Sequence, residues 1–427
     1  MEDLFARLER TLNPELPSLT DSQQQLLQEL SIDENQPGTI LHDFQTLIDL
    51  LQPNGVEVSS VNNLLPLKIL SELNSQLSHP IEIKLKRPVQ KSYPYINGLY
   101  LLLRSSGLAQ IRSQGKKQIL VLDAATLESW SNLNPTERYF NLLEAWLIWG
   151  NNEILGEHQD SFGNLFRCIQ LWPRVPDKGL EFPKYENQQD ISYYPGLHNV
   201  ALLELFGLLS IKHGKPQEGK GWRITSLQRL PFGDALLQLL FPLGIRGELQ
   251  DEVNVTFGKL QSHFQPFFPE WEHNLLVPKQ GFTDGIYVFK VSISKAWRRI
   301  AIPAKKPLSW LAETILDAFD FDYDHLYEFS YKDHFGRIIK IGHPYMETPP
   351  FADQVQIGDL SLEPSAKMSY LYDFGDNWKF DVQLEAINPP DNKIKKAKIL
   401  EVHGNAPQQY WSEEDEGDEG DEGDEGE

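Results

Sequence analysis

Asp373 and Asp376 flank Gly375 and are the carboxylates best placed to converge, as metal binding and general acid–base steps both require. The competing use is structural, with both side chains accepting backbone N–H groups in a turn. Arg298 and Arg299 follow Trp297; a guanidinium there could pair with Asp373 or Asp376 across a sheet, or bind an anion. Asp373, Asp376 and Arg299 therefore form the one candidate catalytic set. His325 starts a strand pattern, where a structural role is expected. His343 and Glu347 stand four apart, but Pro344 argues against a helix presenting them together. No GxxxxGK[ST], HExxH or GxSxG occurs in suitable context, and Cys168 is the single cysteine. Those reaction classes lose their usual support, and neither a metal nor another cofactor is expected.

A second kind of chemistry is written in the cations. Between Ile83 and Leu122 no acid occurs, while Lys84, Lys86, Arg87, Lys91, Arg104, Arg112, Lys116 and Lys117 do. Farther on, Lys212, Lys215, Lys220, Arg223 and Arg229 face only Glu218. Basic stretches on a chain of net charge -22 suit phosphate binding, since each neutralised phosphate releases counterions. A solvated face that happens to be basic is the plainer alternative.

The elements that carry these cations recur. Tyr93-Pro94, Ile96, Leu99, Leu101-Leu102, Gly107-Leu108 and Ile111 return as Tyr194-Pro195, Leu197, Val200, Leu202-Leu203, Gly207-Leu208 and Ile211. The offset is 101 residues, falling to 100 after one deletion. Each copy reads as a helix ended by glycine, a strand, a polar turn and a returning strand (Gln118–Leu122, or Gly221–Thr225). A helix before a two-stranded wing is the closing half of a winged-helix unit, and two helical hairpins are the alternative. Upstream, Leu41, Phe44, Leu47, Ile48 and Leu51 form one helix stripe, and Ile69, Leu70, Leu73 and Leu77 another. The expected order is an N-terminal segment (1–40), a first winged-helix-like module (41–150) and a second (151–270). A linker should lie near 270–282.

The C-terminal region alternates in period two. Tyr287, Phe289, Val291 and Ile293 predict a strand, and Trp297–Ile302 a second. A helix follows Pro307 with Leu308, Leu311, Ala312, Ile315, Ala318 and Phe319 as its stripe, then a strand over His325–Tyr331. In KMSYLYDFGDNWKFDVQLE, Met368, Tyr370, Tyr372 and Phe374 face one way, as do Trp378, Phe380, Val382 and Leu384. Gly375 stands between the two arms as the residue free to take positive φ. This predicts a hairpin closing an α+β roll, one helix across a mixed sheet, in a β-grasp-like arrangement.

AWRRIAIP, LSWLAETILDAFDF, HLYEF and YLYDFGDNW, in this order and closed by HGNAPQQYW, resemble the plasmid pRiA4b ORF-3-like domain family over residues 282–411. The structural motif comprises Tyr372, Asp373, Phe374, Gly375, Asp376 and Trp378. The resemblance implies a plasmid or mobile-element association and no settled activity. Many members carry a histidine where this chain has Ala312, and another where it has Phe380. Any metal or acid–base role of those histidines is lost here, which lowers the catalytic reading.

Residues 412–427 form an acidic tail. From Glu413 to Glu427 there are eleven acids and four glycines, a composition that predicts disorder and either solubilises or covers a basic site. MEDLFARLER lacks an apolar signal core, and no apolar run approaches the roughly 20 residues of a membrane span. A cytoplasmic protein without membrane contact is expected. The function expected is a non-catalytic nucleic-acid-binding or adaptor protein, its winged modules contacting phosphates and its C-terminal domain docking a protein partner. The contacting residues would be Lys84, Lys86, Arg87, Lys91, Arg112, Lys116, Lys117, Lys212, Lys215, Lys220 and Arg223. The alternative is an enzyme using Asp373, Asp376 and Arg299.

Overall fold

The computed structural model describes residues 19–115, 117–157, 163–246, 255–278, 281–347 and 349–410, so residues 1–18, Lys116, Trp411 and the acidic tail lie outside it. The chain divides into two compact units, residues 1–279 with 334–337, and residues 280–333 with 338–427. Both helix and strand are present throughout, and the fold is α+β.

In chain order the first unit opens with α1 (Asp21–Glu29), α2 (Ile40–Leu51), β1 (Val56–Val58), α3 (Leu67–Gln76) and α4 (Pro94–Ser105). The strands β2 (Ala109–Gln114) and β3 (Lys117–Leu122) and the helices α5 (Ala124–Ser131) and α6 (Pro135–Leu147) follow. Next come α7 (Asn164–Leu171), β4 (Leu180–Glu181), α8 (Leu197–Leu205), β5 (Leu209–His213), β6 (Ile224–Arg229) and α9 (Pro231–Arg246). Two three-stranded antiparallel sheets result, ordered β1-β3-β2 and β4-β6-β5, so each copy adds its first strand beside its last.

The copies end their helices alike. Ser106 N–H bonds Leu102 O and Gly107 N–H bonds Arg104 O; Phe206 N–H bonds Leu202 O and Gly207 N–H bonds Glu204 O. Gly107 and Gly207 sit at φ 76° and 72°, the left-handed conformation that a side chain disfavours. These caps pair Leu102 with Leu202, so the offset is already 100 there, and the one-residue change from the 101 of Tyr93-Pro94 and Tyr194-Pro195 lies before Leu102 rather than after it. The second returning strand begins at Ile224 rather than Gly221, because Gly214 N–H bonds Arg223 O and a bulge at Lys212/His213 delays the regular ladder.

Every residue of α4 is buried, and on α8 the run His198–Leu205 is buried. Gly98 permits the close approach of the two helices: a Cβ there would stand 2.7 Å from Leu202 Cγ. Helix α6, opened by an Asn134–Glu137 capping box with Pro135 at its first position, braces both copies. Tyr139 donates to Phe206 O at 2.7 Å, Trp146 Nε1 to Asn199 Oδ1 at 2.7 Å, and Ser105 Oγ to Ala145 O at 2.7 Å. One hydrophobic cluster accordingly runs from Leu19 to Leu275. Residues 255–278 contain one helical turn, and Phe264, Phe268 and Trp271 are buried, Trp271 stacked 4.5 Å from Phe140. Glu144 accepts from Gly258 N and Leu260 N (2.8 and 2.7 Å), pinning this segment to α6. The aromatic-rich stretch before the unit boundary is thus packed core.

The second unit is one sheet ordered β10-β9-β11-β12-β7-β8-β13. Its strands are β7 (Ile286–Ile293), β8 (Ala296–Pro303), β9 (Tyr327–Lys332), β10 (Ile338–Gly342), β11 (Lys367–Tyr372), β12 (Trp378–Asn388) and β13 (Lys398–His403), with α10 (Leu308–Phe319) before β9. Every ladder is antiparallel, which corrects the expected mixed sheet, and the outer strands β10 and β13 extend the expected order. The hairpin aligns Met368 with Val382, Tyr370 with Phe380 and Tyr372 with Trp378. Leu311, Ala312, Ile315 and Phe319 of α10 share the hairpin's core, Phe319 lying 5.3 Å from Phe380 edge-on.

Candidate functional site

The predicted cations divide by environment. Lys84 N–H bonds Lys220 O at 3.3 Å and Gly219 N–H bonds Lys84 O at 2.9 Å, so the segment carrying Lys84, Lys86 and Arg87 lies against the second wing's turn. These cations fall in separate modules along the chain; the backbone joins them. Lys84, Lys86, Arg87, Arg112, Lys212 and Lys215 are exposed, and none makes an ion pair among the described residues. Lys91 pairs with Glu157 at 3.1 Å, Lys117 with Glu57 at 2.6 Å, and Lys220 with Glu186 at 3.8 Å while lying over the Tyr185 ring.

Arg223 is 5 % exposed, and its guanidinium donates to Phe182 O at 2.6 Å, Gln188 Oε1 at 3.0 Å and Ile224 O. It is spent inside the fold. Lys116 lies outside the described residues.

Around this strip, side chains that the sequence did not single out converge. Tyr95 of α4 donates to Glu204 Oε2 of α8, and Ile211 N–H holds the other carboxylate oxygen at 2.7 Å. With its proton so committed, the Tyr95 oxygen accepts from His213 Nε2 at 3.2 Å. Burial, then the Glu204 charge, pushes the Tyr95 phenol well above its ordinary value. His79 lies beside Tyr95, and Trp222 packs against both Tyr95 and His213 (5.0 and 5.6 Å). No period or motif connects His79, Tyr95, His213 and Trp222 in sequence, and nothing in their spacing signals that they meet.

At the hairpin the structure separates the predicted catalytic set. Arg299 bonds Glu385 (2.6 and 3.2 Å) and Glu401 (2.5 Å), and Arg298 is buried, donating to Ala318 O, Trp297 O, His403 O and Gly404 O. Neither pairs with Asp373 or Asp376. Asp373 Oδ1 accepts from Gly375 N at 2.8 Å, and Asp376 is exposed. The left-handed residues of the turn are Asp373 (φ 56°) and Asn377 (φ 61°), not Gly375. Phe374 lies past the strand end and is 48 % exposed, and Trp378 is half-buried, edge-on to Phe321 at 5.1 Å. The glycine-led turn and the buried Phe374 expected from alternation both fail for one reason: period two ends with the ladder at Tyr372.

His325 instead joins the aspartates, its Nε2 3.4 Å from Asp373 Oδ2 and 3.6 Å from Asp324 Oδ1. Tyr372 donates to Asp322 O (2.5 Å) and Asp324 Oδ1 (3.2 Å), and Tyr410 donates to Asp324 Oδ2 (2.9 Å). The Tyr410 hydroxyl holds the Asp324 carboxyl below its ordinary value. Among the described residues no group of three or more His, Cys, Asp or Glu side chains could hold a metal ion, and no helix is long and apolar enough to cross a membrane.

Comparison with known proteins places the hairpin in a family. Residues 286–416 match the family described as plasmid pRiA4b ORF-3-like protein, and the C-terminal region carries that domain. An uncharacterised protein, y4hQ of Sinorhizobium fredii, is 30 % identical over 116 residues, covering 26 % of this chain and 57 % of that protein. The chain thus spans little more than half the length of that curated relative. A crystal structure of the protein of unknown function MM3350 from Methanosarcina mazei Go1 is 28 % identical, covers 29 % of this chain and 72 % of its own, and gives a TM-score of 0.27.

Proposed function

We propose that the first unit binds nucleic acid through the phosphate backbone and that the second serves as a platform for a protein partner. The observation that carries this reading is the strip of cations Lys84, Lys86, Arg87, Lys212 and Lys215, unpaired among the described residues and set together by the backbone bonds of Lys84 with Lys220 and Gly219. Each copy is read as a winged-helix module: the first runs helix, strand, helix, helix, strand, strand, the second has only the helical turn Gln189–Ile191 where the first has α3, and in both the first strand pairs with the last. In a helix-turn-helix protein the second helix enters the major groove. Here α4 and α8 are buried, so groove reading is closed to them and binding is expected to ignore duplex sequence. A mobile-element setting is in keeping with the plasmid named in that family's description. On the second unit, exposed Tyr323, Phe374 and Tyr410 support the docking role.

The test is a salt titration of the full chain with duplex DNA, single-stranded DNA and RNA. Replacing Lys84, Lys86 and Arg87 with Gln should flatten log K against log salt by up to about 2.7 on duplex, from roughly 0.9 per phosphate contact. Arg112→Gln should change the slope by at most about 0.9. Absence of salt-dependent binding to all three would overturn the reading. The alternative, a reaction site at the hairpin, is favoured by the His325–Asp373 approach. It keeps Asp373, replaces Arg299 with His325, and leaves Asp376 without a role.

A further inference from the structure

We propose that His79, Tyr95, His213 and Trp222 form a recess for one unstacked base of a single-stranded nucleic acid, its flanking phosphates lying on the basic strip. This rests on the nucleic-acid reading above and names its ligand class. The floor is buried: Tyr95 is 1 % and Trp222 2 % exposed. The walls are open, His79 in part and the His213 side chain by 32 %. The two imidazole centroids are 6.5 Å apart with their planes at 42°, and Tyr95 lies 5.9 and 6.2 Å from them behind. A flat ring held between two others needs two stacking separations of about 3.5 Å each and near-parallel planes, so the two imidazoles must part slightly and swing toward parallel to admit it.

The floor also carries an unused donor. Trp222 Nε1 is buried and has no hydrogen-bond partner among the described residues, which is costly unless something polar answers it. The Tyr95 proton and the Glu204 carboxylate are satisfied internally, so the buried indole N–H is the group left to meet a base carbonyl or ring nitrogen once the imidazole walls part. Lys84 flanks the recess from one side, on the segment that follows His79, while Lys212 and Lys215 bracket His213. Interleaved cations and rings are the composition of single-strand binding surfaces, where bases stack on side-chain rings and the backbone follows the charge. A duplex keeps its bases paired and offers nothing to the recess.

The experiment measures anisotropy of labelled 15-mer poly-dT, a 15-mer with abasic sites, and a 15-base-pair duplex on the full chain. Poly-dT should bind wild type at least about fivefold tighter than the abasic strand, the lower end of one base stack. The variant His79→Ala/His213→Ala should lose that difference while binding duplex as wild type does. Equal wild-type affinity for poly-dT and the abasic strand overturns the recess without any reliance on a variant, as does an equal loss on duplex and single strand. If Lys84→Gln/Lys86→Gln/Arg87→Gln changes nothing and no probe binds, the nucleic-acid reading itself has failed, a separate outcome.

Discussion

The two copies in the first unit share helix caps, left-handed glycines and sheet order, yet they differ at the helix end and in the wing. In the first copy the cap position holds Arg104, buried and donating to Tyr100 Oη at 3.3 Å; the corresponding residue of the second is Glu204, which takes Tyr95 from the first copy and Ile211 N from its own wing. The first wing keeps its ladder to the Gln114–Lys117 pair, while the second runs from Gly214 to Arg223 before its ladder resumes. The difference teaches that loop length is cheap, since closure entropy grows only slowly with it. It also teaches that one charge at a buried helix end selects the surrounding cluster. The copies share a frame, and they have diverged in the chemistry built on it.

The sharpest test of that shared frame compares the glycines. A Cβ at Gly207 collides with the backbone of Pro37 and Gly38, whereas at Gly107 it meets only side-chain atoms. Both substitutions by Ala incur about 1–2 kcal/mol for the left-handed backbone. Gly207→Ala should add the collision and exceed roughly 3 kcal/mol in total. Equal urea midpoints for the two variants would break the comparison.

Next in size is pH. Burial pushes the His198 imidazole of α8 down to about 4, whereas offset 100 places Gly98 on α4. The folded value lies below the ordinary 6.5, so the folded state binds fewer protons between the two. Stability is therefore present above pH 6.5 and is lost as pH falls toward 4. Between pH 8 and pH 5 the loss should be about 2 kcal/mol, and His198→Asn should show a shallower slope in denaturant titrations across that window.

Tyr95→Phe removes the donor that joins the copies and should cost about 1–2 kcal/mol, with a matching fall in the thermal midpoint. If it costs nothing, Glu204 does not depend on the first copy. The smallest effect belongs to the wing charges: Lys117→Gln, which breaks the exposed pair with Glu57, should move stability by less than about 0.5 kcal/mol. A larger change would mean that the first wing is structural and the second alone is free.

Much of this frame was legible in the residues. The stripe Leu41, Phe44, Leu47, Ile48 and Leu51 is buried as its spacing requires, and the glycine-ended helices with their returning strands occur in both copies. The hairpin from Lys367 pairs as its alternation demands, because period two has one consistent partner face. The candidate site was legible only in part. Lys84, Lys86, Arg87, Lys212 and Lys215 reach solvent as expected, whereas Arg223 does not, and a charge count cannot distinguish a free guanidinium from one bonded to three internal acceptors. The sequence leaves Arg299 free to pair with the aspartates across a sheet or to bind an anion; the ladder sets it instead beside Glu385 and Glu401.

Local order, helix faces, strand alternation and the chain's distribution of charge were determined by the sequence itself, since each depends on neighbours within a few residues. The placing of α4 against α8, the joining of two basic stretches into one strip, and the meeting of His79, Tyr95, His213 and Trp222 were decided by tertiary structure. Those contacts link residues far apart in the chain, and what selects them is the burial of two whole helix faces and the pairing of backbone groups, which no local spacing encodes.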